Sequence, residues 1–217
     1  MFRIVTIERE YGCGAAEIAR QLAERLGWKL WDQRITEEIA ALANVDCSEV
    51  ERQGERLDNP VYRLAKVFWR GSYERALPLD DSRAFDCDCM VSTMEKIADR
   101  IAREGNAVVV GRGAPYFLRG RDDHFCVFLY APRDEKILRL IASGHSEKEA
   151  EELVDTVDDE RKAFIRHYFH VEWPKRALYH MMINTTIGDE QVILTILEAM
   201  GRLQGKDLET SGSRGGR

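Results

Sequence analysis

The feature that most constrains this chain is an alternation of short β-branched, apolar runs with segments whose apolar residues recur at helical spacing. The first unit shows it most clearly. Residues 2–7 (FRIVTI) are rich in β-branched residues and apolar on both faces, as a central parallel strand requires. A turn containing Gly12 and Gly14 follows, then a helix over about 16–26 that sets Ile18, Ala19, Leu22, Ala23 and Leu26 on one face. Gly27 stands just past its end, where a left-handed cap residue is expected. Residues 28–31 read as a second strand that ends at Asp32. Further core strands are expected at 107–110, 125–130 and 181–183. A helix with Met94, Ile97, Ala98, Ile101 and Ala102 inward precedes the first of these, and one with Val192, Ile193, Ile196, Leu197 and Met200 inward follows the last. Strands that alternate with helices in this way predict an α/β protein built on a parallel sheet.

A chain of 217 residues permits one domain with a large insertion. The domain is expected to span 1–205. Within it, the mostly helical stretch at about 35–93, with turn signals at Asn59-Pro60 and Leu77-Pro78, reads as an inserted substrate-side subdomain. Residues 145–176 are helical and dense in charge, and read as a lid over the site. From Lys206 the sequence KDLETSGSRGGR is polar and Gly/Ser-rich, which predicts a disordered tail over 206–217.

Charge and composition narrow the function classes. With 32 Lys+Arg against 38 Asp+Glu, the net charge of −6 disfavours non-specific binding to nucleic acid, which needs a basic footprint. A local group of arginines can still hold a small anion. The apolar stretches are far shorter than the ~18–20 residues a membrane span requires. The start MFRI lacks the charged, apolar and small-residue pattern of a secretory signal, so a cytoplasmic location is expected. Five cysteines (Cys13, Cys47, Cys87, Cys89 and Cys126), odd in number and irregularly spaced, suit reduced thiols better than a disulfide framework. They form no finger-like pattern with histidine, and His167, His170 and His180 offer no third ligand, so no metal site is expected.

Three segments carry possible chemistry. Between the first strand and helix lies Glu8-Arg9-Glu10-Tyr11-Gly12-Cys13-Gly14-Ala15-Ala16-Glu17. Glycines there let backbone N–H groups turn toward a phosphate, and the following helix N-terminus favours an anion. A plain strand-to-helix turn has the same look, because no Lys-Ser/Thr pair follows the second glycine. Gly111-Arg112-Gly113 follows the strand at 107–110, at the sheet edge where ligands bind in open α/β folds; the alternative is a surface arginine in a turn. Asp32 ends its strand at the same edge, placed to accept a substrate hydroxyl or to cap a helix. The run Asp158-Asp159-Glu160-Arg161-Lys162 with Arg166 reads either as a solvated face or as arginines converging on a ligand across a kink.

In order and spacing these segments resemble the cytidylate kinase-like family, within the P-loop nucleoside monophosphate kinase superfamily. The resemblance runs from Ile4 to about Leu203. It is carried by TIEREYGCGAAEIARQLAERLG (6–27), LPLDD (77–81), VVVGRGAPYFL (108–118), VFLYAP (127–132), DDERKAFIRHYF (158–169) and the Ile183-Asn184 and Thr185 positions. It implies a three-layer P-loop kinase fold with a helical substrate insert and a helical lid. It also implies ATP and Mg²⁺ as cofactors and a nucleoside monophosphate acceptor, CMP first. Gly12 and Gly14 match the phosphate-loop glycines, with Arg9, Tyr11, Cys13, Ala15, Ala16 and Glu17 around them on the donor side. Asp32 and Arg112 match acceptor-facing residues, Arg161 and Arg166 match lid arginines at the transferring phosphates, and Arg133 matches the nucleotide-stacking region. The departures are at two positions. Cytidylate kinases carry lysine where this chain has Ala15 and serine or threonine where it has Glu17. That lysine neutralises the β/γ-phosphates and the hydroxyl holds Mg²⁺. Arg9 and Arg20 are the candidates to replace the charge. The loss leaves open a nucleotide sensor without catalysis, or a kinase for a non-nucleotide acceptor.

Overall fold

In the computed structural model, residues 1–32 and 87–212 are described, the side chains of 87–90 and 205–212 excepted. Most of the expected insert, including 77–81, lies outside the described residues, as does Cys47.

The alternation is realised as parallel strands joined through helices. β1 (Ile4–Arg9), β2 (Lys29–Trp31), β3 (Ala107–Val110), β4 (His124–Tyr130) and β5 (Met181–Asn184) form one parallel sheet in the order β2-β3-β1-β4-β5. Among the described residues six α-helices flank it: α1 (Ala15–Leu26), α2 (Cys87–Glu104), the single turn α3 (Ala114–Phe117), α4 (Arg133–Ala142), α5 (Glu147–Phe169) and α6 (Asp189–Gly212). The expected three-layer α/β architecture is observed.

Each sheet face has its own core, set by the two-residue alternation of strand side chains. Val5, Ile7, Val108, Val110, Phe125 and Val127 pack against α1 and α6 through Ile18, Leu22, Ile193 and Ile196. On the opposite face Ile4, Val109 and Phe128 pack against Met94, Ile97 and Ile101 of α2, Phe164 of α5, and Trp173. α1 stays helical until Gly27, whose left-handed φ of 64° ends it.

The structure departs from the sequence reading at two boundaries that matter. β1 continues through Glu8 and Arg9, which pair in register with Phe128 and Leu129 of β4, so two charged residues belong to a buried strand. At the other end, α6 runs on to Gly212, past Lys206 where the tail was expected. Extending a formed helix costs little per residue, and Lys206, Asp207, Leu208 and Glu209 contain no helix breaker. Of the segment 145–176 expected as a lid, residues 147–169 form one continuous helix, α5, opened by Ser146 accepting the Glu149 N–H. Its inner face buries Val154, Val157, Phe164 and Ile165. Among the described residues no helix is long and apolar enough to cross a membrane.

Candidate functional site

The site lies where the carboxyl ends of β1, β2 and β3 meet the first turns of α1 and the middle of α5. Two adjoining pockets occupy this edge. The first is lined by the loop itself: Arg9, Glu10, Tyr11, Gly12, Cys13, Gly14, Ala15, Ala16 and Glu17, with Arg161 from α5. The second is lined by Glu8, Arg9, Arg112, Gly113, Arg161, Phe164, Ile165 and Trp173. Arg9 and Arg161 belong to both walls.

The loop geometry suits an anion. Gly12 and Gly14 hold φ of 76° and 81°, which orients successive backbone N–H groups in a way that L side chains resist. A Cβ on Gly12 would meet Lys136 Cβ at 3.2 Å, and one on Gly14 would meet Arg139 Nη1 at 3.3 Å. Both neighbours come from α4. Lys136 Nζ reaches Glu10 Oε2 at 3.0 Å and Asp158 Oδ2 at 3.5 Å. Arg139 donates to the Cys13 carbonyl and to Thr185 Oγ1 (2.7 Å), and that hydroxyl in turn donates to the Cys13 carbonyl at 2.8 Å. The loop is thus braced from beneath by α4 and the turn after β5.

From above it is tied to α5. Asp158 Oδ1 accepts from the Tyr11 N–H and from Arg161 Nη1, both at 2.9 Å, and Arg161 Nη1 also donates to the Arg9 carbonyl at 3.0 Å. All three charged side chains are buried, so these contacts act where water screens little.

The GRG turn after β3 is equally constrained. Gly111, Arg112 and Gly113 hold φ of 64°, 57° and 73°, three left-handed residues in succession. For Arg112 that conformation costs about 1 kcal/mol or more, a strain characteristic of positions that aim a side chain. Arg112 is buried at the second pocket; burial lowers its pKa and the nearby Asp32 carboxylate opposes that shift. Asp32 is itself buried, and its Oδ1 has no hydrogen-bond partner among the described residues. Burial lowers the Arg9 pKa too, followed by repulsion from Arg161, with Glu8 and Asp32 opposing. Both arginines remain cations at neutral pH. Burial pushes the Glu8 carboxyl above its usual range, against the pull of Arg9 and Arg161.

Two expected residues are not brought in, and a third lines the loop pocket with its carboxylate engaged on its own helix. Arg166 is exposed on α5 and lines neither pocket, because the helix is continuous and five residues turn it away from Arg161. Arg133 opens α4 and is held by Asp155 at 2.8 and 2.7 Å, half exposed and outside both pockets. Glu17 lines the loop pocket, but Arg20 and Gln21 (2.7 Å) bind its carboxylate on the outer face of α1 and hold its pKa down to about 2. No hydroxyl stands there to hold a metal ion. Among the described residues no group of three or more His, Cys, Asp or Glu stands together to hold one either.

Sequence reasoning missed Glu8, Lys136, Arg139, Phe164 and Ile165. Glu8 was signalled by the Ile4-Thr6-Glu8 alternation, and Lys136 with Arg139 by their i,i+3 spacing on the helix after β4. Tyr11 lines the loop pocket and Trp173 the second, whereas Trp31 is core.

A parallel sheet in this order, with a glycine loop opening α1 and Arg161 crossing from α5, defines a P-loop kinase fold. The cytidylate kinase-like family model matches residues 4–187, and the chain belongs to that family. Among solved structures, an uncharacterized protein from Eubacterium ventriosum ATCC 27560 superposes with TM-score 0.65 at 21% identity, covering 93% of this chain and 99% of its own. A gluconokinase from Sinorhizobium meliloti 1021 superposes with TM-score 0.55 at 16% identity, covering 95% and 96%. At such identities these likenesses show the fold. No curated protein matches the chain.

Proposed function

We propose that the chain transfers a phosphoryl group from ATP to a small anionic acceptor, with nucleoside monophosphates, CMP first, as the class to test. The observation that carries this reading is the position of Arg161, which lines both the loop pocket and the acceptor-side pocket. A cation on a shared wall can follow negative charge as it moves from donor to acceptor. ATP supplies the phosphoryl group, and Mg²⁺ would arrive on its phosphates rather than on protein ligands. The loop N–H groups around Gly12, Gly14 and Ala15 bind the donor phosphates. Arg112 grips the acceptor's anionic group in paired, charge-assisted contacts, and the open Asp32 Oδ1 accepts a hydroxyl. Phe164, Ile165 and Trp173 keep water from the acceptor side.

A second reading is a nucleotide sensor that binds without transfer, favoured by the occupied Glu17 carboxylate and the apolar Ala15. Coupled ADP release with CMP, other nucleoside monophosphates and hydroxyl acceptors, beside nucleotide binding, separates the two. Acceptor-dependent ADP release supports transfer, and nucleotide binding with no turnover on any acceptor overturns it in favour of the sensor.

A further inference from the structure

We propose that Arg9 supplies, from the end of the central strand, the positive charge that a phosphate loop ordinarily takes from a lysine after its second glycine. The inference rests on the reading above that the loop pocket takes donor phosphates. Backbone amides offer only partial charges to a polyphosphate, so such a loop needs a full cation nearby. Position 15 cannot give one, since Ala15 is a buried apolar residue at the start of α1.

The other cations around the loop each hold a closer protein partner. Arg20 is held by Glu17 and Glu24 on the outer face of α1. Lys136 is engaged by Glu10 and Asp158 behind Gly12. Arg139 is bound beneath Gly14 by the Cys13 carbonyl and Thr185. Arg161 is anchored by the Arg9 carbonyl and Asp158. Arg9 differs from all of these. It is 5% exposed and lines both pockets, yet its Glu8 contact is long, 3.6 Å from Nη1 to Oε1. Its Nε has no hydrogen-bond partner among the described residues. A buried guanidinium with an open donor is expensive unless something comes to meet it.

The neighbouring strand is shaped around this side chain. A Cβ on Gly111 would lie 1.8 Å from Arg9 Nη1, so the bare backbone at the exit of β3 is what lets the guanidinium cross toward Asp32. The charge therefore faces the phosphates from the acceptor side, where a loop lysine would approach from the helix side. It engages the outer phosphates of a donor and has little to offer a monophosphate bound at the loop.

The test measures binding alone, by calorimetry without acceptor, for ATP, AMP and inorganic tripolyphosphate. The proteins are wild type, Arg9→Gln, Arg9→Lys and Gly111→Ala, each checked by circular dichroism melting. Arg9→Gln should weaken ATP and tripolyphosphate by about tenfold or more and AMP by less than about threefold. Gly111→Ala keeps the arginine but displaces it, and should reproduce that selective loss. Arg9→Lys should fall between, because lysine keeps the charge without the fork. If Arg9→Gln does not fold, the ATP-to-AMP ratio of Arg9→Lys decides in the same way. An unchanged ratio in folded variants overturns the role of Arg9 while the kinase reading stands. A wild-type protein that binds neither ATP nor tripolyphosphate overturns both.

Discussion

Two ion pairs in this chain share a spacing and differ in everything else. Glu17 and Arg20 on α1, and Asp158 and Arg161 on α5, are both acid–arginine pairs at i,i+3. The first has side chains 49% and 44% exposed and closes on itself at the surface. The second has both side chains 10% exposed, and its members reach out of their helix to the Tyr11 N–H, the Arg9 carbonyl and Lys136. Burial converts a pair worth little into a joint between α5 and the glycine loop, because each group left unpaired there would face a medium unable to solvate it.

The largest effect should come from removing the buried acid. Asp158→Ala leaves Arg161, Lys136 and the Tyr11 amide without their shared acceptor and should lower stability by about 3–5 kcal/mol, whereas Glu17→Ala should change it by about 0.5 kcal/mol or less. Urea unfolding of the two variants measures the difference, and equal losses would break the comparison.

Acid should separate buried from exposed groups as well. His124 is buried, sharing a 2.6 Å hydrogen bond with Thr6 Oγ1, and burial, aided by His180, pulls its pKa from 6.5 down to about 4. Between those values the unfolded chain takes the proton and the folded chain does not, so stability should decline as pH falls through that window. Glu17, held down to about 2 from an ordinary 4.5, loses its own contribution lower, mainly below about pH 4.5. His124→Gln should flatten the decline seen in thermal melts across the window. An identical slope in the variant would mean that other groups set it.

Among the arginines the same contrast predicts kinetics. Arg112→Ala should raise the acceptor KM by the equivalent of about 2–3 kcal/mol, the value of a desolvated charged contact. Arg166→Ala, exposed and outside both pockets, should leave kcat and KM near wild type. Steady-state kinetics on whichever acceptor is turned over checks both, and a strong Arg166→Ala phenotype would restore it to the site. Smallest of all should be the double change Ala15→Lys with Glu17→Thr. With Arg9 already facing the phosphates, it should alter ATP affinity by less than about threefold. A large gain by calorimetry would show that the loop still lacks a cation.

Much of the architecture was legible because it rests on local periodicity. The strand at 107–110 and the helix faces at Ile18-Leu22 and Ile193-Ile196 announce themselves through which residues repeat, and the structure buries those residues. Gly12, Gly14 and Arg112 were legible for a related reason: glycines flank a sheet edge where few other functions need them. Arg161 and Arg166 were not separable, since both belong to one charge-rich segment and only the packing of α5 on the loop buries the first and exposes the second.

The sequence by itself therefore determined the alternating strands and helices, the place of the phosphate loop and the absence of its lysine. Those are properties of neighbouring residues, carried by backbone preference and apolar spacing. Tertiary structure alone decided which charges meet. Arg9 passes Gly111 from a strand about a hundred residues away, a gap that no local pattern reports, and Asp158 meets Tyr11 across 147 positions. Only the closed fold brings such partners to a common dielectric, and there the energy of a charge depends on what faces it rather than on what precedes it in the chain.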